Sequence, residues 1–185
     1  MLCRFGTCGG IAEDAHTGCV VVASGGSAYI QRNPDAFGNV EAAATAAEVS
    51  PYHISSITPA SPGLSALVSA ELTNVIGGEH VKNGVNITAD SFYSGQGRID
   101  PNFDDQNGSI VDTLTTKYPE AKSMEMESFM LLHLANCSKK RVHAAAAAIV
   151  VANRRSADVV DGDTLSRVES DGALALLRAI TAFQW

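Results

Sequence analysis

Apolar positions along the chain fall into two rhythms, short continuous runs and longer stretches spaced by three and four. The runs "GCVVVASG" (18–25) and "SAYIQRN" (27–33) predict short strands, the first buried on both faces. A polar and small-residue passage follows from Pro34 to Ala60. In "SPGLSALVSAELTNVIGG", Ser61 can cap a helix, Pro62 suits its first position and Gly77 ends it. Leu64, Leu67, Val68, Leu72 and Val75 form its apolar stripe. A strand over 84–90 breaks at 94–97, and "SIVDTLTTKY" predicts a short helix. "AKSMEMES" leads into a second one, "FMLLHLANCS". "VHAAAAAIVVAN" (142–153) is the longest buried strand, and a helix from about Thr164 to Phe183 turns Leu165, Val168, Leu174, Leu177 and Ile180 inward. Strands alternating with helices predict an α/β fold of three layers, αβα, with a largely parallel, mixed central sheet covered by helices on both faces.

With 185 residues, 45% of them hydrophobic, the chain fits one domain that buries roughly 70% of its unfolded surface. The net charge is -7 and the longest basic run is "KKR" at 139–141, so nucleic acid or an anionic membrane has nothing to grip. The apolar run 142–152 is too short to span a bilayer and "MLCRFGTCGG" has no h-region before a cleavage site, which predicts an intracellular, cytoplasmic protein. Cys3, Cys8, Cys19 and Cys137 contain no CxxC pair and read as reduced thiols rather than zinc ligands or disulfides. Met1 opens directly on the apolar "LCRFG" without a polar lead-in, which suggests a missing N-terminal part.

Three stretches carry candidate chemistry. In "RFGTCGG" (4–10) an arginine precedes what reads as a small-residue turn, whose backbone N–H groups and Thr7 hydroxyl suit phosphate; glycine turns beside an arginine are also common on surfaces. In "ADSFYSGQGRID" (89–100), Gln96 and Arg98 stand two apart. An amide offers donors and an acceptor and a guanidinium only donors, so together they fit an edge of carbonyl, N–H and carbonyl, as in uracil. Their alternative is two solvated side chains in a turn. In "SMEMES" (123–128), Glu125 and Glu127 bracket Met126 where a strand meets a helix. A carboxylate can accept from both hydroxyls of a ribose, and Met126 offers an apolar surface to the sugar; equally, the glutamates favour the start of a helix.

In that order, "RFGTCGG", "DSFYSGQGRID", "SMEMES" and "IVVANR" resemble the nucleoside phosphorylases of the purine and uridine phosphorylase type, and within them the uridine phosphorylases. The resemblance covers nearly the whole chain. It implies Arg4 and Thr7 on phosphate; Gly9, Phe92, Gln96, Arg98 and Arg154 around uracil; and Met126 and Glu127, with Glu125, on ribose. Arg98 and Glu127 would be the catalytic pair. The implied reaction is phosphorolysis of uridine to uracil and ribose 1-phosphate. It needs no metal or organic cofactor, although the family leaves room for a structural cation at a subunit interface. Purine-cleaving relatives place an aspartate near the last motif, and Asn153 in its stead favours a pyrimidine. A purine-type phosphorylase or nucleosidase, and a non-catalytic nucleoside-binding relative, are the alternatives. Family members are longer at the N-terminus and form homodimers or rings of dimers. No histidine among His16, His53, His80, His133 and His143 stands in for those a neighbouring subunit supplies.

Overall fold

The computed structural model describes residues 1–37 and 50–184. Eight strands form one mixed sheet: β1 (Leu2–Gly10), β2 (Val20–Val22), β3 (Ser27–Arg32), β4 (Tyr52–Ile54), β5 (Val81–Asn83), β6 (Val85–Ala89), β7 (Ala121–Glu125) and β8 (Ala144–Asn153). Their order is β4-β3-β6-β7-β1-β8-β2-β5. The pairs β1–β8, β2–β5, β3–β6 and β6–β7 are parallel, and β1–β7, β2–β8 and β3–β4 antiparallel. Among the described residues four α-helices accompany them: α1 (Pro62–Ile76), α2 (Ile110–Lys117), α3 (Ser128–Cys137) and α4 (Gly162–Ala182).

The first difference from the sequence reading lies at the N-terminus. "RFGTCGG" is not a turn but most of β1, paired with β8 along its whole length. The amides on its β8 side therefore serve the ladder, and the phosphate-cradling turn does not exist. Strands β4 and β5 were hidden as well, β4 within the passage 34–60, of which residues 38–49 lie outside the described part.

Helices α1 and α4 cover one face of the sheet. Leu64, Val68, Leu72 and Ile76 of α1 pack with Val168, Ala175, Leu176 and Ala179 of α4 against Val20 and Val22 of β2 and Ala145, Ala147 and Ile149 of β8. The alanine run of β8 lets these helices approach closely. Helix α1 begins and ends where expected, but the Ser61 hydroxyl accepts the Ala144 amide (2.9 Å) instead of capping its own helix. Helix α4 is rotated from the predicted stripe: Leu174 and Leu177 are exposed, and Gly172, Ala175 and Ala179 face inward. The cause is Phe5, whose ring fills the space a side chain at 172 would need. Among the described residues, no helix is long and apolar enough to cross a membrane.

Strand β6 divides its residues by face. Val85, Ile87 and Ala89 join Ile30, Met124 and Leu114 in an apolar cluster beneath α2. Asn86 and Thr88 turn the other way, into a buried polar group with Ser27, Ser123 and Glu125. Alternation along a pleated strand thus gives one sheet an oily side and, at its centre, a polar one.

Candidate active site

Strand β1 pairs with β7 only at Gly9–Met124 and Gly10–Ser123. Beyond that point the two strands separate, β7 turning away into α3, and a cavity of about 450 Å³ opens between them. On its other side β1 keeps β8, with a bulge: Cys8 pairs with Val150 and Gly9 with Ala152, leaving Val151 as the extra residue on the cavity wall. The cavity gathers Arg4, Thr7, Gly9, Phe92, Gln96, Arg98, Glu125, Met126, Glu127 and Arg154. Every candidate residue named from sequence, although drawn from four separate stretches, faces one hollow.

At one end stands Arg4. Its Nη2 pairs with Glu127 Oε2 and lies 3.2 Å from Glu125 Oε2, while Nη1 is buried without a partner. A buried guanidinium N–H left unpaired is costly, so this atom marks a place for an acceptor. Glu125 is buried and saturated. Its Oε1 accepts from Asn86 Nδ2 and Thr88 Oγ1, both at 2.6 Å, and its Oε2 from the amides of Glu127 and Ser128 and from Ser128 Oγ. Burial disfavours its charge, but Arg4, Thr88, the Glu127 amide and Asn86 outweigh that and hold the carboxyl below the usual range. With no lone pair to spare, Glu125 is an anchor, and the diol reading passes to the exposed Glu127 alone.

At the other end three side chains lock together. Gln96 is buried, and its Oε1 accepts from Arg98 Nη1 (3.1 Å) and Arg154 Nη2 (3.0 Å). Two donors on one oxygen fix which way the amide faces, leaving Nε2 as a directed donor. Arg98 also donates to the Phe92 carbonyl and lies 3.7 Å above the Phe92 ring, so that ring supports the guanidinium on one face. Burial lowers the pKa of both arginines, and for Arg98 the neighbouring Arg154 charge adds to it. Arg154 Nε is a second buried donor without a partner.

A family model described as the phosphorylase superfamily matches residues 2–182. The chain belongs to the phosphorylase superfamily. Among solved structures, one from a structural and catalytic analysis of two uridine phosphorylases of the oomycete Phytophthora capsici is 39% identical, with a TM-score of 0.90. The match covers 99% of this chain and 66% of that one. A Trypanosoma brucei nucleoside phosphorylase, described as showing uridine phosphorylase activity, matches with a TM-score of 0.72 at 19% identity, over 98% of this chain and 63% of its own, a likeness of fold. The chain thus spans just under two thirds of the length of either. None of the curated proteins matches it.

Within this phosphorylase scaffold two readings of the sequence change. Asn153 does not face the cavity: its Nδ2 donates to the Ala15 carbonyl (3.0 Å), and its Oδ1 accepts the Arg155 (2.8 Å) and Ser156 (3.1 Å) amides. It shapes the loop that delivers Arg154, so it carries no argument about the base. The polar support of Asn86, Thr88 and Ser123 went unnoticed, though its signal was present. Two hydrogen-bonding residues at alternate positions of "VNITA" are unusual in a strand buried throughout. All four cysteines are free thiols, and burial pushes Cys19 up to about 12. Among the described residues, no cluster of His, Cys, Asp and Glu could hold a metal ion.

Proposed function

We propose that this site carries out phosphorolysis of uridine, releasing uracil and ribose 1-phosphate. The observation that carries the reading is the clamp on Gln96, which presents a directed amide beside two guanidinium groups. Such an edge matches carbonyl, N–H and carbonyl in sequence, with the base N–H taking the place of one arginine on Oε1. Cytosine would set an amino group against guanidinium donors and leave them unpaired, a mismatch a buried site does not tolerate.

Arg4, with its unpartnered Nη1, would hold the phosphate, aided by the Thr7 hydroxyl at the exposed edge of β1. Glu127 takes the ribose hydroxyls and Met126 lies against the sugar. A phosphate oxygen then forms a bond to C1′ as the C1′–N1 bond breaks. Both electrons of that bond pass to uracil, where Gln96, Arg98 and Arg154 stabilise the charge spread over its oxygens. Gly9 and Phe92 bound the base pocket.

The family likeness and the 39% identity to the Phytophthora structure support the same reading. It includes a location in the cytoplasm and a homodimer or ring of dimers, the assembly being supported by the exposed apolar side chains of Phe92, Tyr93, Ile99 and Phe103. The test is release of the free base from uridine, 2′-deoxyuridine, thymidine and inosine (uracil, uracil, thymine and hypoxanthine), with and without phosphate. Phosphate-dependent release from uridine is expected. Preference for inosine would favour a purine-type relative, phosphate-independent release a nucleosidase, and binding without release a nucleoside-binding protein.

A further inference from the structure

Beneath Arg4 lies a ladder of buried polar groups that the proposed chemistry does not itself use. Ser123 Oγ donates to Asn86 Oδ1 (2.9 Å), which fixes the Asn86 amide so that Nδ2 reaches Glu125 Oε1. Thr88 Oγ1 donates to the same oxygen and accepts the Phe129 amide (2.8 Å) at the start of α3. Ser27 Oγ joins both, at 3.1 Å from Asn86 Nδ2 and 3.2 Å from Thr88 Oγ1. Ser27, Asn86, Thr88, Ser123 and Glu125 are all nearly inaccessible to solvent. Hydroxyls and amides stacked on the polar side of β6 are a costly way to fill a core unless their direction matters.

We infer that Asn86 and Thr88 are positioning residues for the anion site: acting through Glu125, they aim the Arg4 guanidinium so that one of its N–H groups stays free for phosphate. Glu125 is the group that contacts both Asn86 and Thr88 on one side and Arg4 on the other. It takes five hydrogen bonds from β6 and from the start of α3 on its far side and presents the remaining charge to Arg4 Nη2. Without those donors the buried carboxyl protonates more readily and its grip on Arg4 slackens. Arg4 then collapses onto Glu127, its other partner, and the anion loses its ligand. The inference rests on reading Arg4 as the phosphate ligand.

The experiment measures binding of inorganic phosphate by calorimetry, without nucleoside, across a pH series. It compares the unaltered chain with Thr88→Val, Thr88→Ser and Ser123→Ala. Each variant is compared with the unaltered chain at the same pH, so that ionisation of phosphate itself cancels. The charged and titratable groups around Glu125 are Arg4 and Cys8 on β1 and Glu127 at α3, and Cys8 stays a neutral thiol because burial pushes it far up. Thr88→Val is expected to weaken phosphate about tenfold and to move the acid limb of binding to higher pH, with uridine affinity changing less. Thr88→Ser should restore both, since it keeps the hydroxyl. Phosphate affinity and acid limb unchanged in a folded Thr88→Val would overturn the inference. If that variant does not fold, Ser123→Ala, which only frees the Asn86 amide, should show a smaller shift in the same direction, and no shift there would overturn it too. Failure of the unaltered chain to bind phosphate would instead refute Arg4 as the anion ligand, and the proposed function with it.

Discussion

Gly9 has no side chain because Arg154 occupies the place of one. A Cβ there would stand 2.7 Å from the Arg154 Cζ, and at Gly6 the corresponding atom would stand 3.0 Å from Arg4 Nη2. Both glycines are thus beds for arginines, which explains how a strand could read as a turn: glycine signals a bend in sequence, while here it signals close approach. Gly9→Ala should push Arg154 off Gln96 and release the amide. The expected result is a fall of about tenfold or more in kcat/KM for uridine, with the urea midpoint unchanged. Glu127 makes a different prediction. It pairs with Arg4, so the proposed ribose ligand and the proposed phosphate ligand neutralise each other. Glu127→Gln should therefore tighten phosphate, by up to about fivefold for so exposed a pair, while weakening uridine, and calorimetry on each ligand alone separates the two signs. Gln96, Arg98 and Glu127 were legible in the sequence because directed polar groups stand out among small neighbours. The saturation of Glu125 was not, because both donors to its Oε1 come from β6, nearly forty residues away.

At the scale of elements, the helices could be read closely, since caps and spacing are local properties, whereas strands β1, β4 and β5 owe their existence to partners distant in sequence. Helix α4 shows where periodicity alone misleads. Its leucines at 174 and 177 outrank its small residues in hydrophobicity, yet Gly172, Ala175 and Ala179 take the inner face because Phe5 of β1 already fills the gap. Shape outweighed hydrophobicity at this contact. An Ala for Gly exchange inside a helix ordinarily stabilises by about 0.5–1 kcal/mol. At Gly172 the new Cβ would lie 2.2 Å from the Phe5 Cζ, so α4 must lift from β1 or the ring must move. Overpacking of this kind costs about 1–3 kcal/mol, and the sign reverses. Gly172→Ala should lower the urea midpoint, and Phe5→Leu in the same chain should recover part of the loss.

Across the whole molecule the net charge is -7, yet the cavity carries three arginines. Their surroundings differ. Arg4 is matched by Glu125 and Glu127, so the end assigned to phosphate is close to neutral or negative. Arg98 and Arg154 instead donate to an uncharged amide and a carbonyl, and among the described residues no carboxylate pairs with either. The site is therefore polarised along its length, with positive charge concentrated where uracil would lie and where its departing electrons would collect. Burial lowers the pKa of both guanidinium groups without discharging them, and the desolvated pair gains most from an anion. Two consequences can be measured. Uracil should bind more tightly as the pH rises toward its own ionisation, because the anion is the form the pair favours. That gain should shrink with added salt less than for an exposed arginine, since partly buried charges are screened less than surface charges, whose interactions fade over about 8 Å. Equilibrium binding of uracil at rising pH and two salt concentrations tests this, and affinity that falls as uracil ionises would mean that the charge at this end is compensated by groups the cavity does not contain.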